Sequence, residues 1–502
     1  MAGESSRRGH GPLQDVARVL AFVLPLAAVA ARAQDTPDPM LGTVPFERWM
    51  IAGDHTQIPW KVTVSPATLD NHQRLKVTIG IAVEGKEIVK RARGQFRILL
   101  QFNDEQGGVY EDHGILELKD VTARVRSQGF YYTHSAFLRP GDYRVGIALV
   151  DTATREHSFA RRTIHVDEIK DDPLPLAWNA IAPVEILAHD DAPEAWYLPY
   201  VAGRLSLSLS TARLMRLDLL MNLPAEDASA TLYRNSMGAL LPAFKALYQL
   251  GGQTALVNAA VLDLTRQRVS FEQAQGRDLD WTSLKNSLGL ANPNVIDVHS
   301  LGNRGKSVEF FLSEINRRMD AGVKWRSETH PRAEISKAAD TGEEAKPPRE
   351  AGNAVVILSG PMMFPKGTEM HQIQPEEGAD CPVFYIRYHT PLERRVVQYL
   401  TTMPANMNNR TVGPPVKGRS SGAVQSTPQA TTVTATAVDP FSPEEADALE
   451  NTLKPLHPKL FDVTTPEEFR KALAEIIDQL GRSSDGSAHP ASRAQSSPTP
   501  QP

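Results

Sequence analysis

The oxygen-rich run Glu226-Asp227-Ala228-Ser229 is one place in this chain where residue types and spacing could do chemistry. Two carboxylates and a hydroxyl so close together suit a hard divalent cation, which takes oxygen ligands. The competing reading is that the same residues cap and turn the chain, which Asp and Ser do through their own backbone. His189-Asp190-Asp191 sets an imidazole beside two carboxylates, but its spacing matches no defined metal site and a turn is expected. Ser359-Gly360 lacks the Gly-x-Ser-x-Gly context of a nucleophile elbow, so a hydrolase serine is not expected there. Asn303-Arg304-Gly305-Lys306-Ser307 has the residue types of a phosphate loop without the Gly-x-x-x-x-Gly-Lys-Ser spacing, and nucleotide binding is set aside. His299 and His389 each follow an apolar run and read as structural histidines. Cys381 is the sole cysteine, so no intramolecular disulfide and no cysteine-based zinc site can form. No cofactor is expected.

A different surface chemistry is offered by Pro361-Met362-Met363-Phe364-Pro365. It follows the apolar run Ala354–Leu358 after Ser359-Gly360, at the carboxyl end of a strand, where open α/β sheets place their ligand crevice. Met362, Met363 and Phe364 are soft, adaptable side chains suited to a protein partner. The alternative is that they fold back onto the core.

The elements that must position these residues fall into two patterns. From Trp60 to Val166 short runs alternate at period two: Lys61–Val64, Leu75–Ile79, Phe96–Leu100, Tyr143–Ala148 and Arg162–Val166. Turn signals such as Gln106-Gly107-Gly108 and Pro140-Gly141-Asp142 separate them, and the pattern predicts half-buried antiparallel strands. A β-sandwich over 58–168 is the economical fold, and Leu138-Arg139-Pro140-Gly141-Asp142-Tyr143-Arg144-Val145 resembles the hairpin entry of immunoglobulin-like modules. The lead-in 34–57 is expected to dock through Phe46, Trp49 and Met50, and the basic run Lys86, Lys90, Arg91, Arg93 is expected to be a solvated strand edge. The Pro- and acid-rich connector 169–203 carries Trp178, Trp196 and Tyr197 for the junction.

Beyond it, strand and helix alternate. Leu214–Leu223, Ala255–Leu264, Arg268–Phe271, Ala354–Leu358 and Val383–Tyr388 read as strands. Ser236–Leu250, Trp281–Leu288, Lys306–Met319 and Pro466–Leu480 read as helices by their apolar spacing. Alternation of this kind predicts a doubly wound, mainly parallel sheet covered on both faces, over 204–402 and 453–481. Within this region, 328–350 is charged and 404–440 is rich in Thr, Ser, Ala and Pro; both read as mobile, as does the tail 482–502.

At the N-terminus, Arg7 and Arg8 precede the apolar stretch Val16–Ala31, interrupted by Arg18, and Ala31-Arg32-Ala33 follows. That is the charged, apolar and small-residue order of an export signal over 1–33, with retention as an anchor the alternative. A secreted or periplasmic location is expected, and no membrane insertion beyond the signal. The formal net charge of -5 gives no reason to expect nucleic acid as a partner.

Arg216-Leu217-Asp218-Leu219-Leu220-Met221-Asn222, the strand pair 254–271, Val355–Gly360 and the ending Leu460-Phe461-Asp462-Val463-Thr464-Thr465-Pro466-Glu467-Glu468-Phe469 together resemble a von Willebrand factor type A domain. The chain is similar in particular to exported bacterial VWFA-related proteins, which join such a domain to a β-sandwich. The family's Asp-x-Ser-x-Ser metal motif is replaced here by Asn222-Leu223-Pro224-Ala225-Glu226, and its fourth-strand Asp falls on Gly360. The resemblance thus implies a type A-like domain without the usual metal ligands, acting in protein–protein contact with an unidentified partner and not in catalysis. Two alternatives stay open: a metal-dependent adhesive domain or hydrolase using Glu226, Asp227 and Ser229, and a structural envelope component.

Overall fold

The structure, a computed structural model, describes residues 38–91, 94–118, 126, 129–187, 201–207, 209, 214–223, 230–252, 254–276, 278–289, 306–329, 351–360, 381–389 and 448–482. The signal segment, the loops bearing Glu226, Asp227, Ser229, Met362, Met363 and Phe364, residues 189–191, Trp196, Tyr197, His299, 303–305, the insertions 330–350 and 404–440, and the tail beyond 482 lie outside them.

The first half is built from ten short strands: β1 (His55–Thr56), β2 (Trp60–Val64), β3 (Thr68–Leu69), β4 (Leu75–Glu84), β5 (Gln95–Asp104), β6 (Val109–Glu117), β7 (Gly129–Leu138), β8 (Gly141–Asp151), β9 (His157–Val166) and β10 (Val184–Ile186). One antiparallel sheet runs β1-β9-β8-β5-β6, the other β10-β7-β4-β2 with β3 also on β4. Period-two alternation sends Val77, Ile79, Ile81 and Val83 from one sheet and Phe96, Ile98, Leu100 and Phe102 from the other into one shared core. Fully burying such side chains contributes about 1.5–3 kcal/mol each. The turn after β5 closes on Asp104, whose Oδ1 accepts from the amides of Gln106 and Gly108 at 2.9 and 2.6 Å, and Gly107 takes φ 85°, which favours glycine.

The outer face of the first sheet is also covered. Leu99, Ala148 and Phe159 are capped by helix α1 (Phe46–Ala52), with Phe46 edge-on to Phe159 at 5.5 Å and Trp49 stacked on His157 at 4.2 Å. Gly146 makes room for this helix: a Cβ there would come within 2.8 Å of the Phe46 ring.

Three sequence expectations change here. The lead-in and connector are not merely leads, because β1 adds to β9 and β10 adds to β7, extending both sheets. The basic run is no strand edge. Residues Gly85–Lys90 form a single-turn helix, α2, and Arg91 is buried behind it, bonded to Glu87 and Glu156. Paired carboxylates let a guanidinium leave water.

The second half carries β11 (Leu214–Asn222), α3 (Ala230–Tyr248), β12 (Ala255–Asp263), β13 (Arg268–Gln273), α4 (Trp281–Gly289), α5 (Lys306–Thr329), β14 (Ala351–Ser359), β15 (Val383–Tyr388), α6 (Ala448–Leu453), β16 (Lys459–Val463) and α7 (Pro466–Arg482). The sheet order is β13-β12-β11-β14-β15-β16; β13 alone is antiparallel to its neighbour. Along β11, Met215, Leu217, Leu219 and Met221 face the core shared with α3 and α7, while Leu220 faces the core of α5 and α6. The sheet is therefore covered on both sides, as the apolar strands require. Helix α5 runs to Thr329, ten residues past the expected end and into the start of the expected insertion, and α6 begins before 453 with Leu449 and Leu453 in the core. Helix α7 starts with a capping box: Thr465 Oγ1 accepts from the Glu468 amide at 3.2 Å, and Glu468 Oε2 accepts from the Thr465 amide at 3.2 Å.

The two halves meet along a polar seam. The turn between β3 and β4 reaches the α/β half: Asn71 donates to Gly238 O at 3.2 Å and accepts from Tyr388 at 2.7 Å, and Gln73 donates to Pro466 O at 3.0 Å. From α7, the buried Arg470 forks onto Asp172 at 2.6 and 2.8 Å, donates to Leu174 O and lies over the Trp178 ring at 4.6 Å. Trp178 in turn donates to Gln73 O at 2.8 Å. Burial opposes the charge on Asp172, but its bonds from Arg470 outweigh that and hold the carboxyl below its ordinary pKa.

Candidate functional site

Where neighbouring strands of an open α/β sheet connect in opposite directions, a crevice opens beyond their carboxyl ends. Here that point lies between β11 and β14, and the residues ending the two strands are Asn222 and Ser359, both fully buried. Asn222 Nδ2 donates to Ser359 Oγ at 3.3 Å, and Ser359 donates onward to Gly360 O at 2.8 Å. Asn222 Oδ1 accepts no hydrogen bond among the described residues. The donor set is an amide and a hydroxyl, neither of which carries charge. The two loops leaving this point hold Glu226, Asp227 and Ser229 on one side and Met362, Met363 and Phe364 on the other; all six lie outside the described residues.

The other residues singled out from sequence are structural where described. His389 follows β15, donates its amide to Val463 O at 2.7 Å and brings its ring to Asp462 at 3.3 Å. Burial pushes the Asp462 carboxyl up, but hydrogen bonds from Arg387 outweigh this and hold it low. Cys381 is buried. Ser307 is buried in the first turn of α5.

Sequence reading passed over Lys245. It stands one turn from Leu241 on the apolar stripe of α3, and a charge on such a stripe is a readable signal. The side chain is largely buried, bonded to Val201 O and 5.8 Å from the Trp281 ring centre. Desolvation pulls its pKa down to about 8, against a weaker opposite pull from Glu185. It lines a cavity of about 40 Å³ with Arg204, Tyr248, Asp278 and Trp281. That space holds a water or two and no organic substrate, for which about 300 Å³ is the lower bound. The lowered lysine is therefore a packing feature of the α3 seam.

No family model matches the chain, and no curated protein sequence matches it. Among solved structures, the putative ApaA protein from Bordetella pertussis is 15% identical, over 22% of this chain and 96% of that one, with a TM-score of 0.15. A glycosyl hydrolase family 2 member from Bacteroides cellulosilyticus is 10% identical, over 67% of this chain and 42% of that one, also with a TM-score of 0.15. Likenesses at that level carry no argument about function.

Proposed function

We propose that this chain is an exported, non-enzymatic protein that contacts a protein partner through the strand-end face of a von Willebrand factor type A-like domain. The strand order, with its single antiparallel edge strand β13, supports that reading of the α/β half. The observation that carries the functional part is the buried Asn222–Ser359 pair at the strand crossover. A divalent ion held by oxygen needs carboxylates at that point, and the two strands end in neutral groups. The open acceptor on Asn222 suits a donor brought to the crevice, since pairing a buried acceptor recovers about 1–3 kcal/mol. Export rests on the N-terminal charge and apolar order, and contact through Met362, Met363 and Phe364 rests on their chemistry.

The test uses two arms. A photocrosslinking side chain at Met363, in cells of the source organism, is expected to give a discrete adduct that the same probe at Lys324 on α5 does not give. Absence of an adduct at 363, or the same adducts at both positions, would sink the reading. In the second arm, thermal unfolding in millimolar Mg²⁺, Mn²⁺ or Ca²⁺ is expected to be unchanged by the double substitution Glu226→Ala, Asp227→Ala. An ion-dependent rise lost in that variant would instead assign a metal-dependent adhesive or hydrolytic site to the shifted acidic loop.

A further inference from the structure

Lys245 packs the α3 seam, and the same burial gives it chemistry that an exposed lysine lacks. Desolvation brings its pKa down to about 8, so roughly a tenth of the amine is neutral at pH 7, against less than about one part in a thousand for an ordinary lysine. A neutral amine is a nucleophile. Its place is fixed on two sides: it donates to Val201 O, and Nζ stands 5.8 Å from the centre of the Trp281 ring.

The amine borders a cavity of about 40 Å³ between the segment 201–207, α3 and the start of α4. Ala202, Leu279 and Trp281 give it apolar wall, and Arg204 gives it a cation. The Arg204 guanidinium is held by Gly251 O at 2.7 Å and by Asp278 at 3.2 Å. The Asp278 side chain is 75% exposed, so that end of the cavity meets solvent. Arg74 and Glu185, with Arg204 and Asp278, set two charges of each sign around the amine. They cancel formally, so the surroundings do not hold Lys245 in its protonated form.

The space sets the class of reagent. An organic carbonyl compound or acyl donor is too large for it. Carbon dioxide is uncharged, has three atoms in a line, and is on the scale of the one or two waters that such a volume admits.

We propose that Lys245 is a carbon dioxide-binding residue, converted in this cavity to its carbamate with Arg204 as the counter-cation. The nitrogen lone pair forms a bond to the carbon of carbon dioxide, one C–O π pair moves onto oxygen, and the nitrogen releases one proton to water at the Asp278 end. Amine plus carbon dioxide becomes carbamate plus a proton, and nothing is oxidised or reduced. The remaining N–H still donates to Val201 O. The new carboxylate is planar and matches the flat donor fork of a guanidinium.

The test uses the full chain in ¹³C-bicarbonate at about pH 8, which supplies dissolved carbon dioxide. Carbamates are trapped with a trialkyloxonium salt and located by peptide mass spectrometry, which separates Lys245 from the N-terminal amine, whose ordinary pKa is also about 8. The trapped mass is expected on the Lys245 peptide, rising with carbon dioxide pressure, at about 10-fold or more above that on Lys324, whose side chain is 77% exposed. Arg204→Gln, with its fold checked by circular dichroism, is expected to lower occupancy at Lys245 about 10-fold through loss of one charge-assisted contact. No trapped carbamate at Lys245 in wild type, or equal trapping at Lys245 and Lys324, overturns the proposal, and that result needs no variant to fold. Undiminished occupancy in a folded Arg204→Gln overturns the part given to Arg204.

Discussion

The strand-end crevice of the α/β half and the edge of the sandwich collect polar groups in opposite ways. At the crevice, Asn222 and Ser359 are fully buried, neutral and bonded to one another. At the edge, the carboxylates of Asp38 and Asp112 and the His113 imidazole converge near solvent, and the buried His134 ring lies 2.8 Å from Asp112 alone. Architecture alone would place a ligand at the crevice. The ionisable side chains gather at the edge instead, which teaches that polar chemistry follows converging side chains and not the fold that frames them.

Both regions move as one body only if the seam couples the two halves, and the largest expected effect tests that coupling. Arg470→Met leaves the mostly buried Asp172 carboxylate unpaired, and should destabilise the chain by about 3–5 kcal/mol. Calorimetry should then show the single transition splitting into two, one for each half; an unchanged single transition would mean the seam is not what couples them. Next, Lys245 sharpens the contrast between a largely buried amine in the α/β half and the partly exposed polar groups at the sandwich edge. Its pKa falls from 10.5 to about 8 on folding, so between those values the unfolded chain holds a proton that the folded chain has released. Stability must therefore rise with pH across that window, by up to about 3 kcal/mol. Urea titrations at pH 7.5 and 10.5 should show wild type gaining on Lys245→Met by that amount; a constant difference would show the amine staying charged in the fold.

A smaller effect probes the neutral crevice itself. Asn222→Asp sets a carboxylate with no exposure beside Ser359 and should cost about 2–3 kcal/mol by denaturant midpoint. Undiminished stability would mean a cation or water offsets the charge, and the crevice half of the comparison would fail. The smallest is Glu468→Ala, which removes one arm of the α7 capping box and should cost about 1 kcal/mol by denaturant midpoint.

Long periodic elements were legible because their burial repeats in the sequence. Leu75–Ile79 and Val383–Tyr388 alternate or stay apolar as their faces demand, and the Pro466 helix carries Phe469, Leu473, Ile476 and Leu480 on one side. What escaped depends on distant pairing. The strand Val184–Ile186 is only three residues long and exists because β7 offers it an edge. Arg91 reads as a solvated cation until Glu156, far along the chain, is brought to it. The far end of α5 is rich in charge, and its close fit to β14, where Gly322 abuts Asn353, cannot be seen from composition. The Asp38 cluster was invisible for the same reason: Asp38 lies on the arm and Asp112 and His113 on β6, and only the fold lays the arm across that strand. One local signal existed. His134 shares inward parity with Tyr132 and Ala136, an ionisable group where the strand pattern calls for an apolar one.

The seam between the halves also sets an order of events during synthesis. Gln73 waits for Pro466, 393 positions later, and Asp172 waits for Arg470, 298 later. The sandwich can close on its own early strands, but its contact surface for the second half stays uncovered until the last strand and helix have emerged. Contacts of such long range are late and slow to form. A nascent chain halted before residue 466 would carry a finished sandwich with Trp178 and Asp172 still open to capture by a chaperone or a protease.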